Sequence, residues 1–372
     1  MASRCGQDRL PLQRCIGWAE GDDAPWRQAL TRQVAQHLGP ADGVVVVDPS
    51  ALPTSGTDSV GVARQWCGRL GHVDHGHVAV ALGDVSGEGH PLGAMRLSLP
   101  TTWTQDHTRL DNAGVPRDRR GDRSRHQWAL DRLEHHGAAR PPQWIAGDEE
   151  RGRPSWCRRR LDRRGERSLL AVPGNTLLRD LETAPPPSSG RGRRPQRPWP
   201  GRELWRTSLP AEAWTTMDVR EGSKGPLVGD LVTRRVVART PQRQEGQEEM
   251  LVIMRSRERD TPRVVKVDWD LANGAVETSL TTVARVAKAA HRLAECLQRR
   301  KSEAGWADDA GRHWTGWHPH QTLSFIATWF FVMETRRGQK MDAGDDGAPE
   351  ARRHRVDPAR GVSMRDHASL AA

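Results

Sequence analysis

The order of elements in this sequence predicts an α/β fold, and three observations carry the prediction. An apolar β-branched run that ends in a carboxylate, GVVVVDPS with Asp48, is followed by a meander of short strands, a helix, and a second apolar run, WIAGD, that again ends in Asp, at Asp148. A helix and a strand continue the alternation to about residue 175, and β-like runs fill residues 214–275. Helical periodicity then returns at Thr281. This order implies a sheet with helices on its faces, interrupted by a β-rich segment.

Each element has a local reason. In WRQALTRQVAQHL (26–38) Trp26, Leu30, Val34 and Leu38 recur every four residues before a Gly-Pro break, which predicts one short leading helix. Four consecutive valines bounded by turn formers predict a buried strand. SVGVARQWCG (59–68), HVAVALGDVS (77–86) and HPLGAMRLSLP (90–100) follow at hairpin distances and predict three antiparallel strands. Helices are expected over RHQWALDRLEHHG (125–137) and about 154–164, with strands at 144–148 and 167–175. A Pro-, Gly- and Arg-rich stretch from Ala184 to Pro210 is a linker or basic loop, because it offers no apolar face to bury. Helices resume at 281–305 and 322–337, and a polar tail predicted to be disordered follows from Gly338.

Charge narrows the partners. The net charge is +10, from 57 Lys and Arg against 47 Asp and Glu, which makes a polyanion, and nucleic acid first, the expected partner over a merely solvated basic surface. Cys5, Cys15, Cys67, Cys157 and Cys296 form no C-x-x-C pair, so neither a zinc ribbon nor a disulfide framework is indicated and a reducing, cytoplasmic setting is expected. The N-terminus has no apolar signal-like core and no run of 18 apolar residues occurs, so no membrane partner is expected. Tryptophan is abundant, at 15, where tyrosine is absent.

Asp48 and Asp148 carry the chemical expectation. If their strands are neighbours, two like charges meet at one place, an arrangement that persists most readily around divalent cations of the kind that drive attack on phosphodiesters; the competing reading is a pair of turn-capping aspartates. A third acid is expected from the helix over 283–301. Its apolar stripe runs through Val283, Val286, Ala287, Ala290, Ala294, Leu297 and Lys301, so Ala294 is expected to face inward. Glu295 lies about 100° further round, where Arg292 or Arg299 can pair with it. His72, Asp74, His75 and His77, and His318 with His320, read as hairpin and helix-start polar residues before they read as metal ligands.

Several long blocks in order carry a resemblance: VVDPSALPTSGTDSVGVARQWCGRLGHVDHGHVAVAL, RLSLPTTWTQDHTRLDNAGVP, WIAGDEERGR, LLAVPGNTLLRDLE, ARVAKAAHRLAECLQRRKSEAGW and GWHPHQTLSFIATWF. Over roughly residues 40–337 the chain resembles the DDE-superfamily insertion-sequence transposases. The resemblance implies an RNase H-like mixed sheet flanked by helices and interrupted by a β-rich insertion. It also implies Mg²⁺ or Mn²⁺ as cofactor, and DNA, both transposon ends and target, as partner. It places Asp48 and Asp148 at the catalytic aspartate positions and Lys301 at the Lys of a Y-x2-R-x3-E-x6-K signature, whose Glu place falls on Ala294. Glu295, the adjacent acid, is carried as a candidate catalytic residue with Asp48, Asp148 and Lys301. Arg191, Arg193, Arg194 and Arg197 of the basic loop, with Lys301, are the candidate DNA contacts.

Departures from the family's pattern accumulate. Ala287 and Ala290 hold the Tyr and Arg places, Thr54 replaces a Lys, His75, Gly76 and His77 replace an Asn-Cys-Gln-like triplet, and Ser98 and Ser168 stand where Tyr is usual. The implied function is a transposase degenerate at its third acid; the alternative is a catalytically inactive DNA-binding remnant. A nucleoid-associated location follows from a DNA substrate, and the resemblance allows a homodimer. The expected organisation is a helical leader (1–40), the first part of the catalytic core (41–175), the insertion (176–280), the returning helices (281–337) and the tail (338–372).

Overall fold

The computed structural model describes residues 23–37, 43–68, 70–86, 92–121, 125–139, 144–187, 190, 197–222, 225–240, 244–258, 263–275, 277–308 and 311–344. Two compact units divide the chain, Met1–Met333 and Glu334–Ala372. The strands are β1 (Val44–Pro53), β2 (Ala63–Cys67), β3 (His72–Val85), β4 (Leu92–Leu97), β5 (Trp144–Gly147), β6 (Ser168–Ala171), β7 (Leu178–Asp180), β8 (Thr215–Gly222), β9 (Gly225–Arg239), β10 (Glu245–Glu258) and β11 (Val264–Ala272). The helices are α1 (Ala24–His37), α2 (Thr101–Thr104), α3 (His107–Asn112), α4 (Arg125–Ala139), α5 (Glu149–Gly152), α6 (Ser155–Arg163), α7 (Arg202–Ser208), α8 (Leu280–Glu303) and α9 (Trp314–Gly344). The last helix thus runs past its expected end at Arg337, and residues 338–344 of the expected tail are helical; the rest of the tail lies outside the described residues.

The strands form one mixed sheet in the order β2-β3-β1-β5-β6-β11-β10-β9-β7, with β4 also paired to β3 and β8 to β9. Only β1, β5 and β6 run parallel to one another; the remaining pairings are antiparallel. The mixed sheet flanked by helices is an RNase H-like α/β fold. The strands between β6 and α8 do not stand apart from the core. β11 pairs with β6, Asp270 opposite Ala171 and Ala272 opposite Leu169, so β7 to β11 extend the same sheet. That pairing supplies hydrogen-bond partners to a β6 edge that would otherwise be left open.

The parity of the central strands fixes what each face meets. Val44, Val46, Trp144 and Ala146 pack with Val283, Val286, Leu293 and Leu297 of α8. Val45, Val47 and Ile145, one residue out of phase, pack instead with Trp128, Leu130 and Leu133 of α4 and Cys157 and Leu161 of α6. Strands covered on both faces read as continuous apolar runs, which is why the valine run was recognisable. A third cluster joins Val236, Leu251, Ile253 and Leu271 to Trp205 of α7.

The tryptophan excess goes largely into this interior. Trp103, Trp144, Trp205, Trp306 and Trp317 are among the largest fully buried side chains. Burying one indole removes roughly 150–250 Å² from water, about 4–6 kcal/mol each as an upper bound. Trp103 keeps its polar edge satisfied by donating from Nε1 to the Val62 carbonyl at 2.8 Å.

Candidate active site

Strands β1 and β5 are adjacent and parallel, with Val44 beside Trp144 and the register running on to Val47 beside Gly147. The next step of each chain is Asp48 and Asp148. Neighbouring strands lie about 4.8 Å apart, so the two backbones enter the site side by side. The α8-facing positions of β1 are Val44 and Val46 and those of β5 are Trp144 and Ala146, and the alternation carries Asp48 and Asp148 to that same face. The strands then part. Pro49 has no N–H to donate, and it falls where the β5 ladder has already ended, so no hydrogen bond to β5 is lost there.

Past this point the chain after Asp148 turns directly into α5, whose Gly152 N–H donates to the Asp148 carbonyl at 3.0 Å. Gly152 is there because of close approach: a Cβ on it would lie 1.9 Å from the Ala171 carbonyl oxygen of β6. Helix α8 is seated across the sheet in a similar way. Leu293 packs into the space over Gly83 of β3, where an added Cβ would meet its Cδ1 at 2.1 Å. Ser279 starts the helix, its hydroxyl accepting from the Thr282 N–H at 3.2 Å.

These elements bound an open cleft of about 1170 Å³, on whose wall Asp48, Asp148, Ala294 and Lys301 meet Arg125 and Arg153. The cleft lies at the C-terminal ends of the parallel strands, the place where open α/β sheets bind ligands. Lys301 is half-buried and its Nζ donates to the Ala51 carbonyl of β1 at 3.0 Å. Arg125 reaches in from the first residue of α4. Its guanidinium is held by Glu150 at 3.3 Å, the Ser98 hydroxyl at 3.2 Å and Gln65 at 3.4 Å.

Ala294 lines the cleft but is exposed to it, which corrects the expected inward orientation: the buried stripe of α8 passes through Leu293, Cys296 and Leu297, and Ala294 sits at its open margin. Glu295 is exposed and does not line the cleft. Arg197 lies elsewhere, lining a pocket of about 280 Å³ with Asp180 and Arg234 and donating from Nε to the Thr183 carbonyl at 2.6 Å. Arg191, Arg193 and Arg194 lie outside the described residues. Sequence reasoning missed Arg125 and Arg153 as cleft residues. The only signal was the acid-rich and base-rich DEERGR immediately after the second strand, which the structure folds into the cleft wall as Asp148, Glu149, Glu150 and Arg153.

Two neighbouring carboxylates suit one divalent cation, which commonly takes one or two protein carboxylates and completes its shell with water and phosphate oxygens. Among the described residues no three His, Cys, Asp or Glu side chains gather into a metal-binding group, and α8 lines the cleft with Ala294, Leu297, Gln298 and Lys301, none of them an acid. The Asp48 and Asp148 pair therefore suits a single cation.

The fold and this cleft define an RNase H-like protein with paired carboxylates at its strand ends. A family model described as DDE superfamily endonuclease matches residues 1–226, and the chain belongs to that family. The match spans Asp48 and Asp148 and ends before α8. Comparison with curated proteins finds no match. Membership in this family implies DNA as substrate, and nuclease domains of this type generally use divalent metals. Among the described residues no helix is long and apolar enough to cross a membrane.

Proposed function

We propose that this chain is a DDE-type transposase of insertion-sequence DNA whose catalytic centre is degenerate at its third acid. Ala294 carries the reading: it lines the cleft that Asp48 and Asp148 share, and Lys301, seven residues later, lines it too. Asp48 and Asp148 would hold one Mg²⁺ or Mn²⁺. A cation there polarises a phosphodiester oxygen and offsets developing negative charge. Lys301, Arg125 and Arg153 would draw the DNA backbone into the cleft, and the basic loop with Arg191, Arg193, Arg194 and Arg197 would extend that contact. Glu295, on the outer side of α8, would serve only after a rotation of that helix. The insertion (176–280), a homodimer and a nucleoid location belong to the same proposal.

The second reading is a catalytically silent protein that occupies transposon ends without cutting them, and the same methyl group favours it. One experiment separates the two: Mn²⁺-dependent cleavage of duplexes bearing the inverted repeats that flank the gene, with the wild type, Ala294→Glu, and Ala294→Glu combined with Asp48→Ala. Cleavage by Ala294→Glu alone marks a binding remnant whose chemistry one carboxylate restores. Cleavage by the wild type marks a working enzyme. Failure of all three proteins to bind or cut these duplexes overturns both readings.

A further inference from the structure

The cleft contains one feature that neither metal binding nor phosphate binding uses. Trp66 lines it, the single aromatic side chain among the described residues that do. At 63% exposure it is also the most exposed of the described large apolar side chains. Its position follows from the strand it sits on. β2 is the edge strand of the sheet and alternates, with Arg64 and Trp66 exposed and Cys67 buried. Register with β3, Trp66 opposite Val73 and Cys67 opposite His72, sets the face of the sheet from which the Trp66 side chain leaves. The strand itself is pinned by Gln65, which donates to the Gly76 carbonyl at 3.0 Å and accepts from Arg125. Beyond it the chain turns sharply at Cys67, whose carbonyl accepts from both Leu70 and Gly71. Gly68 also lines the cleft beside the indole, where an added Cβ would lie 4.0 Å from the Trp66 Nε1.

We infer that Trp66 is a stacking platform for an unpaired nucleobase beside the phosphodiester that Asp48 and Asp148 address. A flat apolar ring left in water on the lip of a cleft that carries both acidic and basic side chains gains nothing for the fold, whereas a base stacked on it gains contact without regard to sequence. Only a base with a free face can stack there, so the subsite takes single-stranded or locally unpaired DNA and not intact duplex. Arg125, Arg153 and Lys301 would hold the flanking phosphates. The inference rests on the reading of this cleft as a DNA site.

The test uses the full chain and two fluorescein-labelled probes, an oligothymidylate of about 20 nucleotides and a mixed-sequence duplex of about 20 base pairs, followed by anisotropy. Trp66→Ala is expected to weaken oligothymidylate binding about tenfold and Trp66→Phe by less than about threefold, with duplex binding changed less than about twofold in both. Oligothymidylate should also quench the emission of the wild type more than that of Trp66→Phe, a readout that does not depend on the Ala variant. If the wild type binds both probes and Trp66→Ala and Trp66→Phe behave like it, the stacking subsite is overturned and the DNA cleft stands. If the wild type binds neither probe, both fall.

Discussion

The Lys301 ammonium donates to the Ala51 carbonyl at 3.0 Å, which ties the last turns of α8 to β1 three residues beyond Asp48. An ammonium has three donors and a full charge, so one group can brace the helix and still present positive potential to the cleft it lines. Replacing Lys301 by Met should lower stability by about 1.5–3 kcal/mol, the range for a hydrogen bond from a charged group. If the charge also meets a phosphate, the slope of log affinity for duplex against log salt should become shallower by about 0.9. A lower unfolding midpoint with an unchanged salt slope would make Lys301 a strut alone.

Ala294 makes a second prediction that needs no catalysis. Substituting Glu adds one more carboxylate to the wall shared with Asp48 and Asp148, where like charges repel unless a cation lies between them. In chelator the Ala294→Glu protein should unfold at a lower temperature than the wild type. Saturating Mn²⁺ should raise its midpoint more than it raises the wild type's, since a ligand at a hundred times its dissociation constant adds about 2.7 kcal/mol. Equal Mn²⁺ responses in the two proteins would show that position 294 does not face the ion.

What the sequence made legible depended on how local the signal was. The valine run before Asp48 and the short run before Asp148 were readable because strands buried on both faces are apolar throughout, and the helix over Ala294 was readable from its periodicity. The exposure of Ala294 was not, because a stripe read in steps of three and four does not say where the covering sheet ends. Nor was the union of β11 with β6, which joins Asp270 to Ala171 across 99 positions of chain. Arg125 escaped notice for a related reason: its partners Gln65, Ser98 and Glu150 come from three separate segments.

Such a non-local tie underlies a third prediction. Arg158 of α6 and Glu249 of β10 form a two-pronged ion pair, Nε to Oε1 at 2.7 Å and Nη2 to Oε2 at 3.1 Å, with side chains 6% and 2% exposed. Nη1 donates to the Gly152 carbonyl, so the same guanidinium holds α5 just after Asp148. Removing one partner strands a desolvated charge, and Glu249→Ala should cost about 3–5 kcal/mol in urea unfolding. The pair Arg158→Met with Glu249→Leu should cost much less, since neither charge then remains unpaired. Equal losses in the single and double variants would contradict this account.

Asp270 supplies the pH dependence. It is buried on β11, and burial, aided by the nearby charge of Asp268, pushes its carboxyl up to about 7. Burial also raises Asp268, but its close contacts with His291 at 3.4 Å and Lys266 at 2.8 Å outweigh it and hold that carboxyl below its ordinary value. Between the unfolded value near 3.8 and about 7, folded Asp270 therefore keeps a proton that the unfolded chain has lost. Stability from this group is fully present below that window and falls as pH rises through it, by about 1.4 kcal/mol for each pH unit crossed and a few kcal/mol at most. Asp270→Asn should remove that decline, so that the difference in unfolding free energy between variant and wild type grows in the variant's favour from pH 5 to pH 8. Taking the difference cancels the contributions of groups present in both proteins. A difference that stays flat over this range would mean that Asp270 is ionised in the folded protein throughout it.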